Sequence, residues 1–261
     1  MSRAHTRTIL VAASLALVLA LPAAVSATHS WGGYHWARTA NPFTLKLGDN
    51  VNSTWDPYLA TTSGDWSQST VLDTTIVAGG SPRKQCRPTS GRVEVCNGSY
   101  GYNGWLGVAS ISVTGGTHIT QGTVKLNDSY FNTASYNTSA WRNLVMCQEV
   151  GHTFGLDHQD TTFDNPNLGT CMDYTNDPGT NQHPNKHDYD ELAIIYAHLD
   201  STSTVGSAPG ASSAAGAGRT HAAEASWGRL VATTNHGHGA WFVRDLGRGN
   251  LVLTHVLWAD R

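Results

Sequence analysis

Cys147-Gln148-Glu149-Val150-Gly151-His152-Thr153-Phe154-Gly155-Leu156-Asp157-His158 decides how this chain reads. Gln148 and His152 stand four apart, so on a helix both side chains leave one face and can converge on one ion. Glu149 is one step round, placed to hold a water against that ion and take its proton. Gly155 can adopt the positive φ that stops a helix and turns the chain sharply. The turn brings His158 back toward the same point as a further ligand. Two histidines six apart are, by themselves, more often hydrogen-bonded core imidazoles than ligands. Here Glu149, His152, Gly155 and His158 hold their places together, and that favours a metal site.

The stretch resembles the long zinc-protease signature H-E-x-x-H-x-x-G-x-x-H at every fixed position but the first, where Gln148 stands in place of a histidine. Gly169-Thr170-Cys171-Met172-Asp173-Tyr174 follows at a fitting distance. With it, the chain resembles the metzincin metallopeptidases over 43–199, nearest to their matrixin and astacin or serralysin branches. Ile119 to Asn127, followed by an apolar helix, is similar to the strand and active-site helix of matrixins. The resemblance implies a methionine turn at Met172 beneath the metal, and at Tyr174 a zinc ligand or a stabiliser of the transition state. It implies an α/β catalytic domain: a twisted mixed sheet, an active-site helix, the methionine turn, and a C-terminal helix in a smaller lower lobe. The activity implied is a secreted, zinc-dependent endopeptidase acting on a protein or peptide substrate. One catalytic Zn2+ is then held by Gln148, His152 and His158, with Glu149 as general base and Tyr174 on the oxyanion. The family's cysteine switch has no counterpart in 28–41, which contains no cysteine. For a structural Ca2+ the sequence carries no supporting motif.

Gln148 is the departure that matters. Its amide oxygen can ligate, but it is neutral and a poorer donor than imidazole for a borderline-soft ion, so affinity should fall. Asp160 and, less favourably, Asp157 are further carboxylate donors nearby, and His183 and His187 lie in the loop 176–187 expected to shape specificity. The alternative function is a catalytically weak or inactive relative that keeps its cleft as a peptide-binding module.

The N-terminus reads as a secretory signal over 1–27. Arg3 and Arg7 precede an apolar run from Ile9 to Leu21, and Val25-Ser26-Ala27 fits a small-residue cleavage site. The full chain carries 16 basic and 19 acidic residues; without Arg3 and Arg7 the balance is 14 to 19, a net charge of −5. That argues against a nucleic-acid partner or an anionic membrane surface. A monomer is expected. The four cysteines suit an oxidising compartment. Cys86 and Cys96 flank a loop they can close. Cys147 and Cys171 either bond to each other, tying the motif helix to the methionine turn, or lend a thiolate to the metal; secretion favours the disulfide.

The peptidase domain is expected over 28–200. Strands are expected at 43–47, 71–77, 92–95, 105–113 and 118–126, the last two joined at Gly115-Gly116. A helix is expected at 55–67, and the motif helix is capped at Thr138 or Ser139. A last helix is marked by a capping-box pattern at Asp188 and Glu191, with Leu192, Ile195, Tyr196 and Leu199 at helical spacing. Residues 201–225 are almost wholly Ser, Gly, Ala and Thr and read as a flexible linker. Beyond it, 226–261 forms a small β-rich tail with strand-like runs at 241–243 and 251–253, too short to fold alone, so that it either docks on the main domain or stays mobile. Its His236-Gly237-His238 reads as exposed turn histidines.

Overall fold

The computed structural model describes residues 29–206 and 226–259. The expected signal segment, 1–27, and most of the expected linker, 207–225, lie outside the described residues. The sheet is mixed and runs in the order Leu72–Ala78, Phe43–Asn50, Val93–Gly98, His118–Asn127, Trp105–Thr114, Asn250–Trp258, Gly239–Gly247, Arg229–Thr233. Its first half is β2 (Phe43–Asn50), β3 (Leu72–Ala78), β4 (Val93–Gly98) and β6 (His118–Asn127), paired in parallel, with the short β1 (His35–Trp36) also parallel to β6. The antiparallel half begins at β5 (Trp105–Thr114), which turns into β6 through Gly115 and Gly116, both at positive φ.

Helix α1 (Asp56–Trp66) and helix α3 (Ser139–His152) pack against each other. Of the two, α3 crosses β5 and β6 while α1 lies over β3. A short helix α2 (Asp128–Phe131) links β6 to the loop that enters α3. Thr138 is the N-cap of α3, its hydroxyl accepting from the Trp141 backbone N–H at 3.2 Å. From Leu144 to His152 every side chain of α3 is buried. Burying polar groups on an enclosed helix is costly unless they find partners, so the polar residues on α3 are candidates for a site.

The closing helix, α4 (Lys186–Ile195), starts one turn earlier than its sequence pattern suggests. The cap is Asn185, and Asp188 closes the box by accepting from the Asn185 backbone N–H at 2.7 Å. Glu191 lies inside the helix rather than at its cap, and Leu199 falls beyond the end of α4 and is exposed.

The tail docks on the main domain, and it does so by joining the sheet. Strands β7 (Arg229–Thr233), β8 (Gly239–Gly247) and β9 (Asn250–Trp258) extend it antiparallel, with β9 along β5 from Trp105↔Trp258 to Val113↔Leu251. Alternation sorts its side chains. Leu253, Leu257 and Trp241 join the main core, whereas Val256 and Trp258 meet Trp105 and Val108 on the other face. So short a segment gains its stability by borrowing an existing edge and core. The start of the Ser/Gly/Ala stretch is also held: Thr204 N–H donates to Ala37 O and Gly206 N–H to Gly91 O, each at 2.9 Å. No helix among the described residues is long and apolar enough to cross a membrane.

Candidate metal centre

Both cysteine pairs expected from the sequence are bonded, Cys86 to Cys96 and Cys147 to Cys171. The second bond fastens α3 to the segment carrying Met172. Met172 is buried under the helix at Gly151, where an added Cβ would come within 2.7 Å of the Met172 sulfur. Gly155 ends the helical turn at φ +94°, and a Cβ there would collide with the Tyr34 carbonyl oxygen. Glycine is thus required twice over, and the sharp turn it permits carries His158 back over α3.

His152 and His158 face each other with ring centroids 4.5 Å apart. The Nδ1 of His152 donates to Leu156 O at 2.9 Å, and that of His158 lies 3.3 Å from Asp157 Oδ1. An anchored Nδ1–H leaves the lone pair on Nε2, the arrangement that orients imidazoles toward a metal. In both residues the buried Nε2 has no partner. Burial, with the neighbouring imidazoles behind it, drives both pKa values well below the usual histidine value, so both rings are neutral. Such unpartnered polar atoms in a core are costly unless something occupies the space between them.

Gln148 is buried on the same helix. Its amide nitrogen donates to Cys171 O at 2.9 Å, and its Oε1, the atom able to ligate, is without a partner. Glu149 lies against β5 at Gly107, where a Cβ would come within 2.7 Å of the carboxylate. Burial pushes its pKa up to about 8, against the pull of His152 and the Ala109 backbone N–H. Tyr174 stacks on the His158 ring at 4.0 Å, and burial raises its pKa well above the usual phenol value.

A further residue is present that the motif does not contain. His255, on β9, is fully buried and lies 4.1 Å ring to ring from His152 and 4.9 Å from His158. Its Nδ1–H donates to Glu149 Oε2 at 3.2 Å, and its Nε2 accepts from the Tyr174 hydroxyl at 2.7 Å. Burial lowers its pKa to about 3. One possible donor atom from each of His152, His158 and His255 lies within 4.8 Å of the others. This histidine lies some hundred residues beyond the motif, outside any local pattern. The one local sign is its place in the row Leu253, His255, Leu257, where a polar ring interrupts the apolar face of a strand.

The other candidates fall elsewhere. Asp157 acts through His158, holding its ring and its backbone N–H. Asp160 is taken up by Thr162 N–H and the Asn165 side chain. His183 bonds Asp65 at 2.7 Å and His187 stacks on His29, and neither belongs to the group of His152 and His158. In the tail turn His236 is exposed, while His238 stacks on Phe163 at 3.8 Å.

No protein-family model and no curated protein matches the chain. Among solved structures, it is similar to a crystal structure of myroilysin at 14% identity and TM-score 0.35, covering 62% of this chain and 86% of that one. A second myroilysin structure matches at 12% identity and TM-score 0.37, over 65% of this chain and 98% of that one. High choriolytic enzyme 1, a hatching enzyme zinc-protease from Oryzias latipes (medaka fish), matches at 10% identity and TM-score 0.34, over 62% and 94%. Likeness at that level carries no functional weight; the geometry of the centre has to.

Proposed function

We propose that the protein is a secreted metal-dependent endopeptidase whose centre is built on His152, His158 and Glu149. The observation that carries this reading is the pair of buried, neutral imidazoles, each anchored through Nδ1 and each with a free Nε2, beside a buried carboxylate. Those two nitrogens fit zinc, and the amide oxygen of Gln148 is a third, weaker donor on the same helix. Bound zinc supplies a Lewis acid that polarises the scissile carbonyl and lowers the pKa of water. Glu149 takes the proton of the attacking water and passes it to the leaving amine. A nearby divalent cation favours its ionised form, offsetting the burial that otherwise keeps it protonated. The Tyr174 hydroxyl, held neutral, donates to the oxygen on which negative charge develops.

The test is zinc content of the purified full chain, followed by casein cleavage with and without a chelator. One equivalent of zinc and cleavage that stops on chelation are expected. A protein that takes up no zinc, or cleaves casein regardless of chelator, overturns the reading.

A further inference from the structure

Three features single out the C-terminal hairpin formed by β8 and β9. First, His255 is oriented as a ligand would be. Its Nδ1–H is committed to Glu149, so its only lone pair is on Nε2, where the Tyr174 hydroxyl now donates. Second, the spacing suits one ion. The donor atoms of His152, His158 and His255 lie within 4.8 Å of each other; nitrogens around a tetrahedral zinc are about 3.4 Å apart. The difference is within the reach of small side-chain and strand adjustments. Third, the hairpin is fitted to this place. Trp241 of β8 sits edge-on to His158 at 5.4 Å and 5.2 Å from His255. The Tyr174 hydroxyl occupies the space that a Cβ at Gly239 would need.

We propose that the C-terminal hairpin supplies the third imidazole of the metal site, His255 making good what Gln148 lacks, and that in doing so it closes the site over Glu149. The inference rests on the metal-centre reading above. Gln148 leaves the motif helix one nitrogen short of the three-nitrogen shell found at some catalytic zinc sites, and β9 brings in a nitrogen from the far end of the chain. Closure follows from burial: Glu149, His152 and His255 are each 0% exposed. The cleft of about 970 Å³ at the hairpin's margin, lined by Asn103, Phe163, His238 and Trp258 among others, includes none of the three histidines. A peptide reaches Glu149 only when the hairpin has lifted. Metal and hairpin are therefore linked: zinc that binds the docked state more tightly strengthens docking by the same factor. The lifted state keeps His152, His158 and the Gln148 oxygen, with positions free for water and substrate.

The experiment measures zinc affinity of the full chain by competition with a chromophoric chelator. Loss of an outer-shell partner already costs about 10–100-fold in affinity, so His255→Ala should weaken binding by at least the upper end of that range. Adding Gln148→His to that variant should restore tight binding by returning the third imidazole to α3. Zinc should slow amide exchange of 239–258 in the parent and leave it unchanged in His255→Ala. Because a buried substitution can impair folding, imidazole nitrogen NMR of the unmutated chain gives an independent reading. Zinc should shift the ring nitrogens of three histidines, 152, 158 and 255. Shifts confined to 152 and 158, or an unchanged affinity in a folded His255→Ala protein, overturn the proposal while leaving the metal centre standing. A parent that binds no zinc ends both.

Discussion

Among the described residues, two groups bring three possible ligand atoms within 4.8 Å of one another, and they differ in how many lone pairs they leave free. At the periphery, His35 of β1, His118 of β6, and His198 and Asp200 beyond α4 draw together, and the ligand atoms of His35, His198 and Asp200 lie within the same 4.8 Å limit. Yet their atoms are already occupied. His198 Nε2 lies 3.1 Å from His35 Nε2, His118 donates to Asp200 Oδ1 at 3.1 Å, and Arg38 holds Asp200 Oδ2 at 2.9 Å. A fixed guanidinium in the cluster also repels any cation. The central cluster keeps two unpartnered Nε2 atoms. The two carboxylates part in the same way. Burial carries Glu149 upward, whereas the burial of Asp200 is outweighed by the Arg38 backbone N–H, His35, His118 and the Arg38 charge, which hold it below the usual range. The pKa of Glu149 is pushed up to about 8, whereas Asp200 is held in its anionic form at neutral pH by the groups it clamps. What separates a metal site from a structural knot is spare lone pairs, not the number of histidines.

The contrast breaks most decisively on metal content. His152→Ala combined with His158→Ala should remove stoichiometric zinc altogether. His35→Ala combined with His198→Ala should leave one equivalent bound while lowering the melting temperature. Elemental analysis of both purified proteins decides it; loss of zinc from the peripheral variant would mean that the clusters had been assigned the wrong way round.

Much of the central cluster was legible because its signal is local. The i, i+4 spacing and Gly155 place His152, Glu149 and His158 together through helix geometry and one sharp turn. The strands from Phe43 to Asn127 and the capped helix at Thr138 follow from alternation and cap chemistry over neighbouring residues. His255 was not legible for the opposite reason. Its partners Tyr174, His158, His152 and Glu149 are 81 or more residues away, and the pairing of β9 with β5 depends on an edge that exists only once β5 and β6 have folded. The tail reads as a weak unit because so short a segment buries too little apolar surface by itself. The cap of α4 was misplaced by one turn because Asn185 and Asp188 form as good a box as Asp188 and Glu191, and only the packed structure chooses between them.

The next effect concerns turnover. Glu149→Gln keeps the size of the side chain and can still accept from His255, but it has no basic oxygen to take a proton. Zinc content should persist while casein cleavage falls about a hundred- to ten-thousand-fold, the range for a positioned base. A Glu149→Gln protein that cleaves as fast as its parent would leave Glu149 with a purely structural role, like that of Asp200, and the contrast between the two carboxylates would collapse.

The smallest effect is on the peripheral side and is read as stability. Asp200→Asn keeps a hydrogen-bonding group but leaves the Arg38 guanidinium, which is 2% exposed, without its counter-charge. Removing one partner of a buried pair costs about 3 kcal/mol, or roughly 6–12 °C in melting temperature for a domain of this size. The pH dependence gives the direction independently. The pKa of Asp200 in the folded protein is below its unfolded value, so its contribution is complete above about pH 4 and is lost as pH falls through the folded pKa. Parent and Asp200→Asn melting curves should therefore stand apart at pH 7 and draw together as the parent is acidified below about pH 4. Zinc content should be the same in both at pH 7, because Asp200 touches none of the central histidines. Curves that coincide at pH 7 would show that the Arg38–Asp200 pair is no clamp, and that the peripheral cluster lacks the fixed charge that sets it apart from the metal centre.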